Sequence, residues 1–172
     1  MSIDLPLLAL VAGSFLLGGF VKGTIGIGMS LVAIPVLSLA LPPYRAIALV
    51  VAPVLISNLW QAWETRIDRA QLRRFLPLIL ALMVSTAATV KLTLALPPHV
   101  LGRLIAASVL LAIALMAWRP ELNVPPHQEK RWSVAVGGLS GMMGGVSAQT
   151  GPLIITYLMA LRVSRENFVG CM

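Results

Sequence analysis

Leu5–Leu41, LPLLALVAGSFLLGGFVKGTIGIGMSLVAIPVLSLAL, is the stretch on which the fold turns. It is apolar for 37 residues, interrupted only by Lys22 and a Gly-rich patch. A bilayer-spanning helix needs about 20 predominantly apolar residues. As one straight helix this run would measure about 55 Å at about 1.5 Å per residue, against a hydrocarbon core of about 30 Å. It must be broken, strongly tilted or doubled back, and the expected break lies near Lys22–Gly28. One pass would give Leu5–Leu41 the same orientation as the last apolar run of the chain. Two passes would invert the two and put the N-terminus outside.

Four further runs are long enough to span: Ala46–Trp63, Phe75–Leu96, Val100–Trp118 and Ser133–Leu161. Proline fixes φ and donates no backbone hydrogen bond, so the pairs Pro42-Pro43, Pro97-Pro98 and Pro125-Pro126 are expected to end helices and turn the chain. Composition agrees. Hydrophobic residues make up 58% and charged residues 11%, with a mean hydropathy of +0.91. A soluble domain carries about 25% charged residues, and a chain this short cannot hide so much apolar surface in an aqueous core. The solvent is lipid. The predicted fold class is all-α, a polytopic transmembrane helical bundle with an internal repeat and Gly/Pro-broken helices.

The net charge of +7 does not imply a nucleic-acid partner, because the basic residues sit in short gaps between apolar runs and form no basic stripe with interleaved aromatics. There they act as topology signals and lipid-headgroup contacts. Arg66, Arg69, Arg73 and Arg74 lie in the loop Glu64–Arg74, and Arg119, Lys130 and Arg131 in the loop Arg119–Arg131. An even number of spans separates the two loops, so both are expected in the cytoplasm. Trp60, Trp63, Trp118 and Trp132 fall at that same end, where an indole buries its ring and keeps its N–H wet. The N-terminus lacks the positive region of a secretory signal, and the first run is expected to be a retained membrane segment. Cys171 is the single cysteine, so no internal disulfide forms and no metal cluster is expected.

The first and last runs carry one pattern twice. Gly19, Gly23 and Gly26 recur at constant spacing as Gly137, Gly141 and Gly144, while Pro35 and Arg45 recur, one residue closer, as Pro152 and Arg162. Gly/Pro-interrupted apolar segments at matching positions of a duplication point to a transporter's binding site. A helix broken within the membrane leaves N–H groups at the start of its second half, with partial positive charge, which must face protein, water or substrate. The competing role is packing, because Gly19-xxx-Gly23 and Gly137-xxx-Gly141 are also motifs that let helices approach closely.

All six acids fall in predicted loops or at ends, so no buried carboxylate is available to bind a cation or relay a proton. Lys22 stands inside the first patch, and a fixed cation beside unpaired N–H groups suits an anion. Its plainer role would be to snorkel to the headgroups, as Lys91 is expected to do. Asn58, Gln61, Ser85, Thr86 and Thr89 would line a polar path or, more ordinarily, bond helix to helix. The expected substrate-binding residues are Lys22, Gly23, Gly26 and Gly28 from the first patch and Ser147, Gln149, Thr150 and Gly151 from the second. Pro35 and Pro152 are the expected helix-breaking residues. His99 and His127 lie far apart in loops without partners at ligand spacing, so neither metal nor catalysis is indicated and no cofactor is implied.

Gly19-Phe20-Val21-Lys22-Gly23-Thr24-Ile25-Gly26-Ile27-Gly28 with Ala33-Ile34-Pro35 resembles the first signature of the TauE/SafE sulfite-exporter family. Gly137-Gly138-Leu139-Ser140-Gly141-Met142-Met143-Gly144-Gly145 with Gly151-Pro152 resembles the second. The resemblance implies a multi-pass permease or exporter of the bacterial inner membrane, carrying small anions such as sulfite or organosulfonates. Residues 1–131 would form a first repeat of about four membrane segments and 132–172 the start of a second. The resemblance also implies further helices, the counterparts of Ala46–Trp118, so the chain is expected to be a truncated member. The partners implied are a small anionic solute and the lipid bilayer, with a homo-oligomer compatible. A non-transporting membrane scaffold or accessory fragment is the alternative, and a membrane-embedded enzyme is disfavoured by the lack of a catalytic constellation.

Overall fold

The computed structural model describes residues 5–25, 28–64, 69–118 and 124–161. Gly26, Arg66, Asp68, Arg119, Arg162 and Cys171 lie outside the described residues. The chain is helical, with no strand among the described residues. Its helices are α1 (Leu5–Ile25), α2 (Met29–Leu37), α3 (Pro43–Glu64), α4 (Arg69–Thr93), α5 (Pro98–Trp118), α6 (Glu129–Ser147) and α7 (Gly151–Ala160). Four of them, α1, α3, α4 and α5, are long and apolar enough to cross a membrane. Large apolar side chains face outward all round, Leu16, Phe20, Leu55, Trp63, Leu94 and Leu110 among them. Such a surface suits hydrocarbon, where helices keep every backbone bond within the segment.

The proline pairs act at the same register each time. Their second members, Pro43, Pro98 and Pro126, open α3, α5 and a short 3-10 turn at Pro126–Gln128. At the first helical position the missing N–H costs nothing and the fixed φ is already helical. Helix α4 begins at Arg69, ahead of the expected Phe75. Arginine is a good helix former, so the helix runs on beyond the apolar segment.

Both long terminal runs are divided. Leu5–Leu41 becomes α1 and α2, with Gly28 at φ 117° before α2. Ser133–Leu161, expected as one span, becomes α6 and α7, separated by Ala148 at φ 53°. As the chain passes from Gly28 to Met29 its contact retreats from Val21 to Gly18, so α2 folds back along α1. Of the three options open to the first run, doubling back is the one adopted. Helix α7 folds back too, and Tyr157 on it reaches Ser133 near the start of α6 at 2.8 Å.

Helix directions follow from the contacts. Gly102 of α5 lies by Pro43 of α3, start against start. Lys22, late in α1, reaches Asn58, late in α3. Gly137 and Gly141 of α6 press on Leu78 and Leu82 of α4 in step, and Arg74 pairs with Glu129 at the starts of these two helices. Tyr44, Pro98 and Thr93 line one cavity, which puts the starts of α3 and α5 beside the end of α4. Helices α1, α3 and α5 therefore run one way and α4 and α6 the other, so the two divided segments enter the bundle in opposite senses.

Two packings hold this arrangement. Ala33, Ile34 and Leu37 of α2 are buried against Ala46 and Val50 of α3 and Leu101 and Ile105 of α5. On the other side α4 and α6 touch backbone to backbone. A Cβ on Gly137 would stand 2.4 Å from the Leu78 carbonyl oxygen, and one on Gly141 2.5 Å from that of Leu82. With apolar lipid outside, association rests on such close contact and on interhelical hydrogen bonds. Ser85 Oγ donates to the Gly138 carbonyl at 2.7 Å, Thr86 Oγ1 to Gly141 at 3.2 Å and Thr93 Oγ1 to Gly145 at 3.1 Å.

Candidate functional site

Gly28 forms the first break. Its φ lies where glycine is at ease and a side chain is not, and a Cβ there would stand 2.9 Å from Val21 Cγ1. The first backbone bond of α2 runs from Val32 N–H to the Gly28 carbonyl at 3.0 Å. The amides of Met29, Ser30 and Leu31 precede it, and they carry the positive end of the helix dipole.

Ala148 forms the second. A non-glycine residue in the left-handed region costs about 1–2 kcal/mol, offset here by its N–H bonding the Gly144 carbonyl at 2.8 Å. Gly144 also makes room for the turn that follows, since a Cβ on it would lie 2.6 Å from Thr150 Cγ2. Helix α7 then starts at Gly151, with Pro152 in its first turn and no side-chain cap from Thr150 before it.

The two breaks meet. One cavity of about 80 Å³ is lined by Lys22, Gly28 and Ser30 from one side and Gln149, Thr150 and Gly151 from the other. Met29 and Leu31 of α2 and Pro152 and Ile154 of α7 also border it, so both helices present their first turns. They leave it in opposite directions, and their N-termini converge on one space. Drug-sized pockets measure about 300–1,000 Å³. This one has room for a few waters or a small ion.

Of the residues expected from the sequence, Lys22, Gly28, Gln149, Thr150 and Gly151 line the cavity. Gly23 and Ser147 are not among its lining residues. Gly23 faces open space, and Ser147 Oγ is turned back to the Met143 carbonyl at 3.0 Å, where it serves the end of α6. Gly26 lies outside the described residues. The breaks themselves are made by Gly28 and Ala148, whereas Pro35 sits within α2 and Pro152 begins α7. A proline six residues into α2 falls near the end of that short helix, so it limits the helix and does not open the gap before it.

Asn58 and Ser30 are the polar residues among the described lining that the sequence did not single out for the site. The Lys22 ammonium donates to Asn58 Oδ1 across the α1–α3 contact. Asn58 follows a long apolar stretch late in α3 as an amide beside Ser57, which was the available signal, although the same signal fits any interhelical hydrogen bond. Lys22 is the one charged residue among the described residues that line the cavity.

Residues 10–172 match the model of the sulfite exporter TauE/SafE family. The chain belongs to that family. No curated protein and no solved structure matches it. TauE/SafE proteins are membrane transporters, and the family points to sulfite or related anions as cargo. The apolar helices of this member make it a multi-pass membrane protein.

Proposed function

We propose that this TauE/SafE chain forms an anion permease whose substrate rests in the cavity between the two breaks. Amides at the starts of α2 and α7 would bind its oxygens and Lys22 would balance its charge. The observation that carries this reading is that two segments more than a hundred residues apart in sequence place their helix starts and Lys22 around one small space. Helix N-termini bind oxyanions readily. No carboxylate is among the described residues lining the cavity to repel one.

The opposed senses of α1 and α6 support an inverted repeat, with 1–131 as the first unit and 132–172 as the start of the second. In that frame the site lies at the repeat interface, and rocking one hairpin against the other would expose it to alternate sides. Sulfite and small sulfonates fit the size of the cavity, export is the direction that the family name suggests, and the bacterial inner membrane is the proposed location.

Flux of radiolabelled sulfite, sulfate and methanesulfonate in proteoliposomes tests the proposal. The expected result is saturable movement of at least one of them, inhibited by the same anion unlabelled. Flux no faster than in protein-free liposomes for the whole panel would contradict it.

A further inference from the structure

Gln149 is 2% exposed, and neither Oε1 nor Nε2 of its amide meets a hydrogen-bond partner among the described residues. Burying an unpaired amide is costly, so a retained one marks a place where something else completes it. The side chain lines the cavity between the two helix starts. Most other polar groups there are donors, namely the Lys22 ammonium and the first amides of α2 and α7. The Asn58 carbonyl oxygen is already taken by Lys22, and the hydroxyls of Ser30 and Thr150 turn to either role. Gln149 adds what the rest of the lining lacks, a free carbonyl oxygen beside a free N–H₂.

Charge points the same way. One lysine balances one negative charge, and no other cationic side chain stands among the described residues that line the cavity to balance a second.

We propose that the cavity selects singly charged oxyanions that carry a hydroxyl, and that Gln149 is the residue that recognises the hydroxyl. Nε2 donates to a charged oxygen of the anion while Oε1 accepts from its O–H. This selectivity rests on the anion-pocket reading above and adds a preference for one protonation state. A dianion offers lone pairs only and would set one against Oε1. An alkyl sulfonate has the right charge and no donor. Sulfite in its monoprotonated form meets both demands.

Calorimetric titration of the purified chain tests this with sulfite at pH values on either side of its last ionisation, and with methanesulfonate, which does not titrate there and so reports any effect of pH on the protein. Wild-type protein should bind monoprotonated sulfite roughly tenfold more tightly than methanesulfonate, the loss expected for one charge-assisted hydrogen-bonding partner. Affinity for sulfite should fall by a similar factor as it ionises, with methanesulfonate unchanged. In Gln149→Leu the two monoanions should bind alike. Should that variant not fold, the wild-type ligand series decides alone. Equal binding of both monoanions with no pH preference would overturn the hydroxyl selection and leave the anion pocket standing. Failure of every anion to bind the folded wild-type chain would remove the pocket itself, and this inference with it.

Discussion

The Lys22 ammonium on α1 donates to Asn58 Oδ1 on α3, at the edge of the cavity where the two divided segments meet. An unpaired lysine on a membrane helix would be drawn toward the headgroups. The amide holds it in place without cancelling its charge. Replacing Lys22 with Met keeps the chain length and removes the charge, and should weaken anion binding about tenfold or more. Asn58→Ala leaves the charge but releases the lysine, and should cost only several-fold. Titration of the two purified variants with the same anion checks the order. A larger loss for Asn58→Ala than for Lys22→Met would show that the charge is not what binds.

The repeated glycines divide into two kinds, and stability measurements should separate them. Gly141 lies under the Leu82 carbonyl, whereas Gly23 meets nothing within 4 Å. Gly141→Val should force α4 and α6 apart and destabilise the protein by about 1–3 kcal/mol. Gly23→Ala should be neutral or mildly stabilising, because alanine favours a helix over glycine by about 1 kcal/mol. Thermal melts of both variants in detergent provide the comparison. Equal melting temperatures would mean that the α4–α6 contact is not tight.

The starts of α4 and α6 share one end of the bundle, joined by the Arg74–Glu129 pair, whose Nη2–Oε2 distance is 2.8 Å. The expected side for that end is the cytoplasm, given the basic residues around it. In a Cys171→Ser background, cysteines at Asp68 and Gln128 should resist impermeant thiol reagents in intact cells and react after permeabilisation. Fast labelling from outside at either position would reverse the orientation.

The order of helices was legible in the sequence because apolar runs and proline pairs are local signals. Pro43 and Pro98 open α3 and α5 within a few residues of the expected starts. The excess length of Leu5–Leu41 demanded a break, but nothing local distinguishes a tilt from a reversal. That choice depends on Gly18 receiving Met29, a contact between residues on two helices. The same limit applies to the site. Lys22 and the Gln149–Gly151 turn stood out as polar groups in apolar surroundings, whereas Ser147 looked equivalent to them and is spent on the end of its own helix. Whether a small polar residue faces a cavity or its own carbonyl is set by a rotation that composition does not encode. Gly137 and Gly141 likewise match Gly19 and Gly23 in spacing, although only the α6 pair presses against a neighbouring backbone.

The central claim is that both breaks build one anion site, and a double-mutant cycle across the cavity tests it most directly. Binding of monoprotonated sulfite would be measured by calorimetry for wild type, Lys22→Met, Gln149→Leu and the double variant. Residues that share one ligand do not act independently, so the two losses should fall short of additive by more than about 0.5 kcal/mol. Wild-type affinity in either single variant, or losses that simply add, would contradict a site shared between α1–α2 and α6–α7.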